Sequence, residues 1–186
     1  MKSFLAGVVI GLLIVPAIAF FYVRGGHMPV ATADPPLPLE ETIAKQGLHA
    51  RLDREAPQRD VSGFTAADLA AGAEVYRMNC AFCHGLPQQP APPAAKGMFP
   101  DPPQLFSPQA MVTDDPAGVT YWKVRNGIRL TGMPAFHDSL SDQQIWQVSA
   151  LLTRSDKLPP EVLDALKPPA ASGATSPGSS AAPPQH

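Results

Sequence analysis

Apolar residues are distributed very unevenly along the chain. From Phe4 to Val23 no charge interrupts them, and about twenty such residues predict a helix long enough to span a bilayer. Leu39 to Ala56 is rich in helix formers, with Ile43, Leu48 and Leu52 toward one side, which predicts a helix of imperfect periodicity. It reads either as a helix packed on the folded domain or as a bridge to the membrane, a solvated linker helix being the plainer reading. From Phe64 the pattern becomes regular. Thr65 stands as an N-cap before Ala66 to Met78, where Leu69, Gly72, Ala73 and Tyr76 recur at helical spacing. A second helix is predicted with Asp115 as its cap and Pro116 at its first position, running through Val119, Trp122 and Val124 to a stop at Asn126-Gly127. Ser141 and Gln144 form a capping-box pattern before Ile145, Val148, Leu151 and Leu152. Pro159-Pro160 opens a short helix, Glu161 to Leu166.

Proline separates these elements. The chain has 23 prolines in 186 residues, far above the ordinary share of about 5%. Gly25 to Pro38 is a Gly/Pro spacer that favours a semi-rigid extended arm. Gly85 to Pro108 carries eight prolines, a density that excludes long helices and central strands. From Pro168 the chain is mostly Pro, Ala, Ser and Gly, without Asp, Glu, Lys or Arg, and is expected to be a disordered tail. The expected organisation is an anchor over 1–24, a spacer with a short helix over 25–63, a folded domain over 64–167, and a tail over 168–186.

The chemistry is concentrated in Cys80-Ala81-Phe82-Cys83-His84, which holds the only two cysteines. C-x-x-C-H is the attachment pattern of c-type haem, in which two thiols add to the haem vinyl groups and the histidine ligates iron. His84 is the expected first ligand, its other ring nitrogen donating to a backbone carbonyl within Leu86–Pro93. The loop Thr131-Gly132-Met133-Pro134 offers a soft thioether, so Met133 is the expected second ligand. Met98, in a similar setting, and His137 are its rivals. Met78 and Met111 read as ordinary apolar residues, and His27 and His49 as solvated ones.

A domain of about 100 residues this rich in proline has a thin core. A buried macrocycle would supply one, with Leu105, Phe106, Ile128, Leu130 and Phe136 against its faces. Gly72, Tyr76, Trp122 and Trp146 read as packing residues, with Gly72 and Trp146 permitting the first and last helices to cross closely. Lys123, Arg125 and Arg129 cluster near the expected haem edge, either as a solvated face or as partners of propionates or proteins.

These residues together resemble a mono-haem class I cytochrome c over roughly Phe64 to Arg154. The resemblance rests on Gly72, Tyr76, Asn79-Cys80, Cys83-His84-Gly85, Gly132-Met133-Pro134 and the last helix with Trp146. It implies an all-α fold, a small helical bundle around one haem c. It also implies covalent attachment at Cys80 and Cys83, axial ligation by His84 and Met133, and one-electron transfer rather than an enzymatic reaction. The proline-rich loop departs from the family pattern.

Context follows from the rest of the chain. A net charge of −2 argues against nucleic acid as a partner. A thioredoxin-like pair would need a βαβ setting and zinc would need two further ligands. Pro16-Ala17-Ile18-Ala19 resembles a signal-peptide cleavage site, but cleavage there would leave the apolar Phe20-Phe21-Tyr22-Val23 at the new terminus, which favours the uncleaved anchor. Because c-type haem is attached outside the cytoplasm, the expected location is the bacterial inner membrane, single-pass, with the haem domain facing the periplasm. The expected role is a tethered carrier between redox partner proteins. The competing reading is a haem-based sensor or small-ligand binder with a displaceable methionine.

Overall fold

Two helices of the second half meet backbone to backbone at a glycine. In the computed structural model, which describes residues 1–107, 110 and 112–167, the chain divides into Met1–Arg51 and a second unit from Leu52 onward. The described residues are helical or irregular, with no strand among them. The tail over 168–186 and Met111 lie outside the described residues.

In the first unit, α1 spans Lys2–Arg24 and carries Pro16 inside it. Residues Gly7–Arg24 have a mean hydropathy of 2.2, and α1 is long and apolar enough to cross a membrane. The spacer is organised by carboxylates. Asp34 accepts from the amides of Val30 and Ala31 at 2.9 Å each, and Glu40 accepts from Leu37 N at 2.7 Å. Helix α2 follows at Glu40–Glu55, within a residue of its expected limits. Ile43 is exposed and Leu52 buried, so the two do not share one environment.

The second unit is built on α3 (Ala66–Asn79), α5 (Ala117–Asn126), α6 (Asp142–Leu152) and α7 (Pro160–Ala165), with a single-turn helix α4 at Ala81–His84. Helix α3 packs against α6 and α7, and α5 packs against α6. The expected close crossing is present: a Cβ on Gly72 would lie 2.4 Å from the carbonyl oxygen of Gln147, so α3 meets the backbone of α6 directly. Trp146 instead turns toward α5, stacking on Tyr121 with ring centroids 4.1 Å apart and planes 19° apart. Tyr76, Ile145, Val148, Leu151, Val162 and Leu166 are fully buried between the helices.

The caps follow local chemistry. Thr65 accepts from Asp68 N while Asp68 accepts from Thr65 N, and Ser141 and Gln144 close the same reciprocal pair. Asp68 also accepts from Gln147 Nε2 at 3.1 Å, tying the start of α3 to α6. The second helix starts one residue later than expected. Pro116 occupies the cap with extended ψ of 142°, because the Asp115 carboxylate turns to Lys123 Nζ at 3.1 Å instead of capping. Gly127, at φ 66°, ends α5 as expected.

An extended strap before α3 is pinned to this bundle. A Cβ on Gly118 would collide with the Pro57 carbonyl. Trp122 Nε1 donates to Glu55 at 3.3 Å, Arg154 donates to the Val61 carbonyl, and the Arg59 guanidinium lies 4.9 Å over the Trp146 ring.

Candidate functional site

Helix α3 delivers the cysteine motif. Its last turn is closed by Asn79 Nδ2 donating to Val75 O at 2.9 Å and Cys80 N donating to Tyr76 O at 2.8 Å. The chain then makes one tight turn in which the amides of Cys83 and His84 both reach the Cys80 carbonyl, at 3.1 and 2.9 Å. That turn sets both thiols and the imidazole around one opening. Gly85 ends it at φ 72°, a left-handed conformation suited to glycine. The Gly85 carbonyl accepts from the buried Tyr76 hydroxyl at 2.8 Å, which locks the end of the motif onto α3.

His84 Nδ1 lies 2.8 Å from the carbonyl oxygen of Pro103. A carbonyl only accepts, so Nδ1 carries the proton and Nε2 keeps its lone pair. The partner is therefore not in Leu86–Pro93. Carbonyls there are drawn into local turns, Leu86 O taking Gln89 N and Pro92 O taking Ala95 N, while the returning arm of the loop presents Pro103. Gln104 Nε2 fixes that return by donating to Cys83 O and Pro102 O, both at 3.3 Å. Burial holds the His84 imidazole below its ordinary pKa, opposed by the hydrogen bond to Pro103. The neutral ring is the form that ligates a metal.

Burial, with the Cys83 thiol alongside, pushes the Cys80 thiol up to about 12. Both cysteines are free. A protonated thiol in an apolar setting is the opposite of the low-pKa thiolate of a redox C-x-x-C pair. Among the described residues, no group of three or more His, Cys, Asp or Glu side chains gathers into a cation site.

The opposite wall is the loop after α5. Thr131 Oγ1 donates to Ile128 O at 2.6 Å and accepts from Met133 N at 3.1 Å, while Ile128 N donates to Met133 O at 3.2 Å. Phe136 N donates to Val124 O at 3.1 Å and returns the loop to α5. Thr131 thus fixes the backbone on both sides of Gly132. No sequence signal singled it out beyond its place in the methionine loop.

Cys80, Cys83, His84 and Met133 all line one cavity of about 140 Å³, open to solvent. Its walls are apolar, with Leu105, Val124, Ile128, Phe136 and Leu152 among them. Of the expected apolar positions, Phe106 instead packs edge-on against Tyr76, centroids 5.0 Å apart, and Leu130 is 91% exposed. Leu130 sits at φ 61° on the outside of the turn, which directs it to solvent. Met98 lines the same cavity. His137 does not; its ring is held by Arg125 O and Asp138, both at 3.2 Å. Met78 is exposed. Among the cluster of cations, Lys123 is committed to Asp115 and Arg125 lies 3.8 Å from Asp142.

An apolar cleft bordered by two thiols, an imidazole with a free Nε2 and a thioether fits a flat macrocycle carrying a central iron. The helical fold of the described residues and this cleft are consistent with a c-type cytochrome domain of the single-haem class I kind. Residues 67–152 match the family model described as cytochrome c oxidase, cbb3-type, subunit III. No curated protein and no solved structure matches the chain.

Proposed function

We propose that the protein is a membrane-tethered electron carrier with one haem c held covalently by Cys80 and Cys83 and ligated by His84 and Met133. The observation that carries this reading is the meeting of these four side chains on one apolar cavity. When bound, haem supplies a one-electron iron couple. The chain's residues do the rest. Pro103 orients His84 and fixes its tautomer. Thr131 holds the Met133 backbone, and the apolar walls suit the faces of the macrocycle. With both His84 and Met133 as ligands the iron would keep no position open to a substrate, which suits outer-sphere transfer over substrate chemistry.

Helix α1 is the tether in this reading, spanning the bacterial inner membrane once with the haem domain in the periplasm. The arm of residues 25–63 raises the domain's effective concentration near its redox partner proteins. The family match makes a terminal-oxidase assembly a natural setting, with the protein as carrier or cytochrome subunit rather than catalyst. The test is the oxidised absorption spectrum of the holoprotein. A weak far-red band marks methionine ligation of ferric haem and supports the carrier. Its absence, with small ligands binding readily to the iron, would support the sensor instead.

A further inference from the structure

We propose that Met98 is a positioning residue for the Met133 loop, so that the returning arm of the proline-rich loop braces both the His84 and the Met133 sides of the cavity. The inference rests on Met133 as the second iron ligand.

The arm begins with a 3-10 turn at Ala95–Gly97. Ala95 is buried, and Met98 N bonds to Ala95 O at 3.2 Å. From that fixed base the half-buried Met98 side chain reaches Gly132, the residue before Met133. A Cβ on Gly132 would meet Met98 Sδ at 3.0 Å, Cε at 3.3 Å and Cγ at 3.6 Å. Gly132 does not occupy the left-handed region, so its backbone alone does not call for glycine. What the missing side chain makes room for is Met98. Five residues further on, the same arm supplies the Pro103 carbonyl to His84 Nδ1, and Gln104 holds Cys83 O. One segment therefore touches the histidine side directly and the methionine side through a thioether. A methionine suits that place, since its unbranched stem fills an irregular gap without imposing a shape.

If the contact restrains Met133, deleting it makes the sixth position easier to take. The experiment compares ferric holoproteins of wild type, M98A, M98L and M133A by far-red band and by imidazole titration. The expected result is that M133A loses the band and M98A keeps it. M98A should bind imidazole about tenfold more tightly, as expected for deleting a half-buried side chain's contacts. M98L, which refills the gap, should return to within about twofold of wild type. G132A supplies a second arm: it should tighten imidazole binding in wild type and have no further effect in the M98A background.

Imidazole affinity unchanged in both M98A and G132A, with the band lost only in M133A, overturns the positioning role and leaves Met133 as ligand. A band lost in M98A but kept in M133A makes Met98 the ligand and overturns both. A wild-type protein with no band overturns the ligand reading and the positioning role with it.

Discussion

Replacing Gly72 by alanine should be among the most damaging single-methyl changes in this domain. The added Cβ would stand 2.4 Å from Gln147 O, 2.7 Å from Gln147 C and 3.1 Å from Val148 N. All three are backbone atoms of α6, so no side chain can rotate away. The helices must separate, and around the crossing Ala73, Val148 and Leu151 are fully buried. Alanine favours helix over glycine by about 1 kcal/mol. Overpacking a rigid contact costs about 1–3 kcal/mol, and a backbone-to-backbone clash belongs at or above the top of that range. The net loss is about 2 kcal/mol, which for a domain of this size lowers Tm by roughly 8–16 °C. The assay is thermal unfolding of the holoprotein followed by far-UV circular dichroism. G63A is the control, because a Cβ there meets nothing within 4 Å, and it should stay within about 0.5 kcal/mol of wild type. A G72A protein melting with the control would refute the close crossing of α3 and α6.

Other consequences follow from single contacts. Tyr76→Phe leaves the Gly85 carbonyl without its buried donor and should cost about 1–3 kcal/mol in chemical denaturation, whereas an unchanged midpoint would show the bond to be dispensable. Thr131→Val keeps the shape but removes the acceptor of Met133 N and the donor to Ile128 O. It should weaken the far-red band and tighten imidazole binding, and a wild-type titration would count against Thr131 as the loop's brace. The Asp68 carboxyl is held below its ordinary value of 3.8 by the hydrogen bond from Gln147 and those from Thr65. A depressed carboxylate stabilises the fold above the unfolded value and loses that effect as pH falls through the folded one. Asp68→Asn should therefore flatten the acid side of the stability profile, and an equally steep decline in the variant would exclude this contribution.

Features set by neighbours in the chain were legible beforehand. Thr65 and Ser141 cap their helices because their partners stand three residues away, and Gly127 ends α5 because the turn needs a positive φ. Asp115 shows how this reasoning fails: its carboxylate had a choice, and Lys123, two turns along, was the better partner. The acceptor of His84 failed for the same reason at longer range. Pro103 lies nineteen residues away, and only the tertiary return of the loop brings it near. Phe106 and Leu130 looked equivalent by hydropathy, yet one packs on Tyr76 and the other faces solvent, since loop backbone and not composition decides which way a side chain turns. The strap from Glu55 to Phe64 gave no periodic signal at all. Its contacts with Gly118, Trp122 and Trp146 are tertiary, and a glycine in the first turn of α5 was the only local trace.

In the proposed function one haem is bonded to Cys80 and Cys83. Mass spectrometry of the protein, denatured after acid–organic extraction, tests it directly. The expected result is a chain heavier by one haem, reduced to the bare polypeptide mass when both cysteines are replaced by alanine. A wild-type chain at its bare mass, with haem in the organic phase, would contradict it.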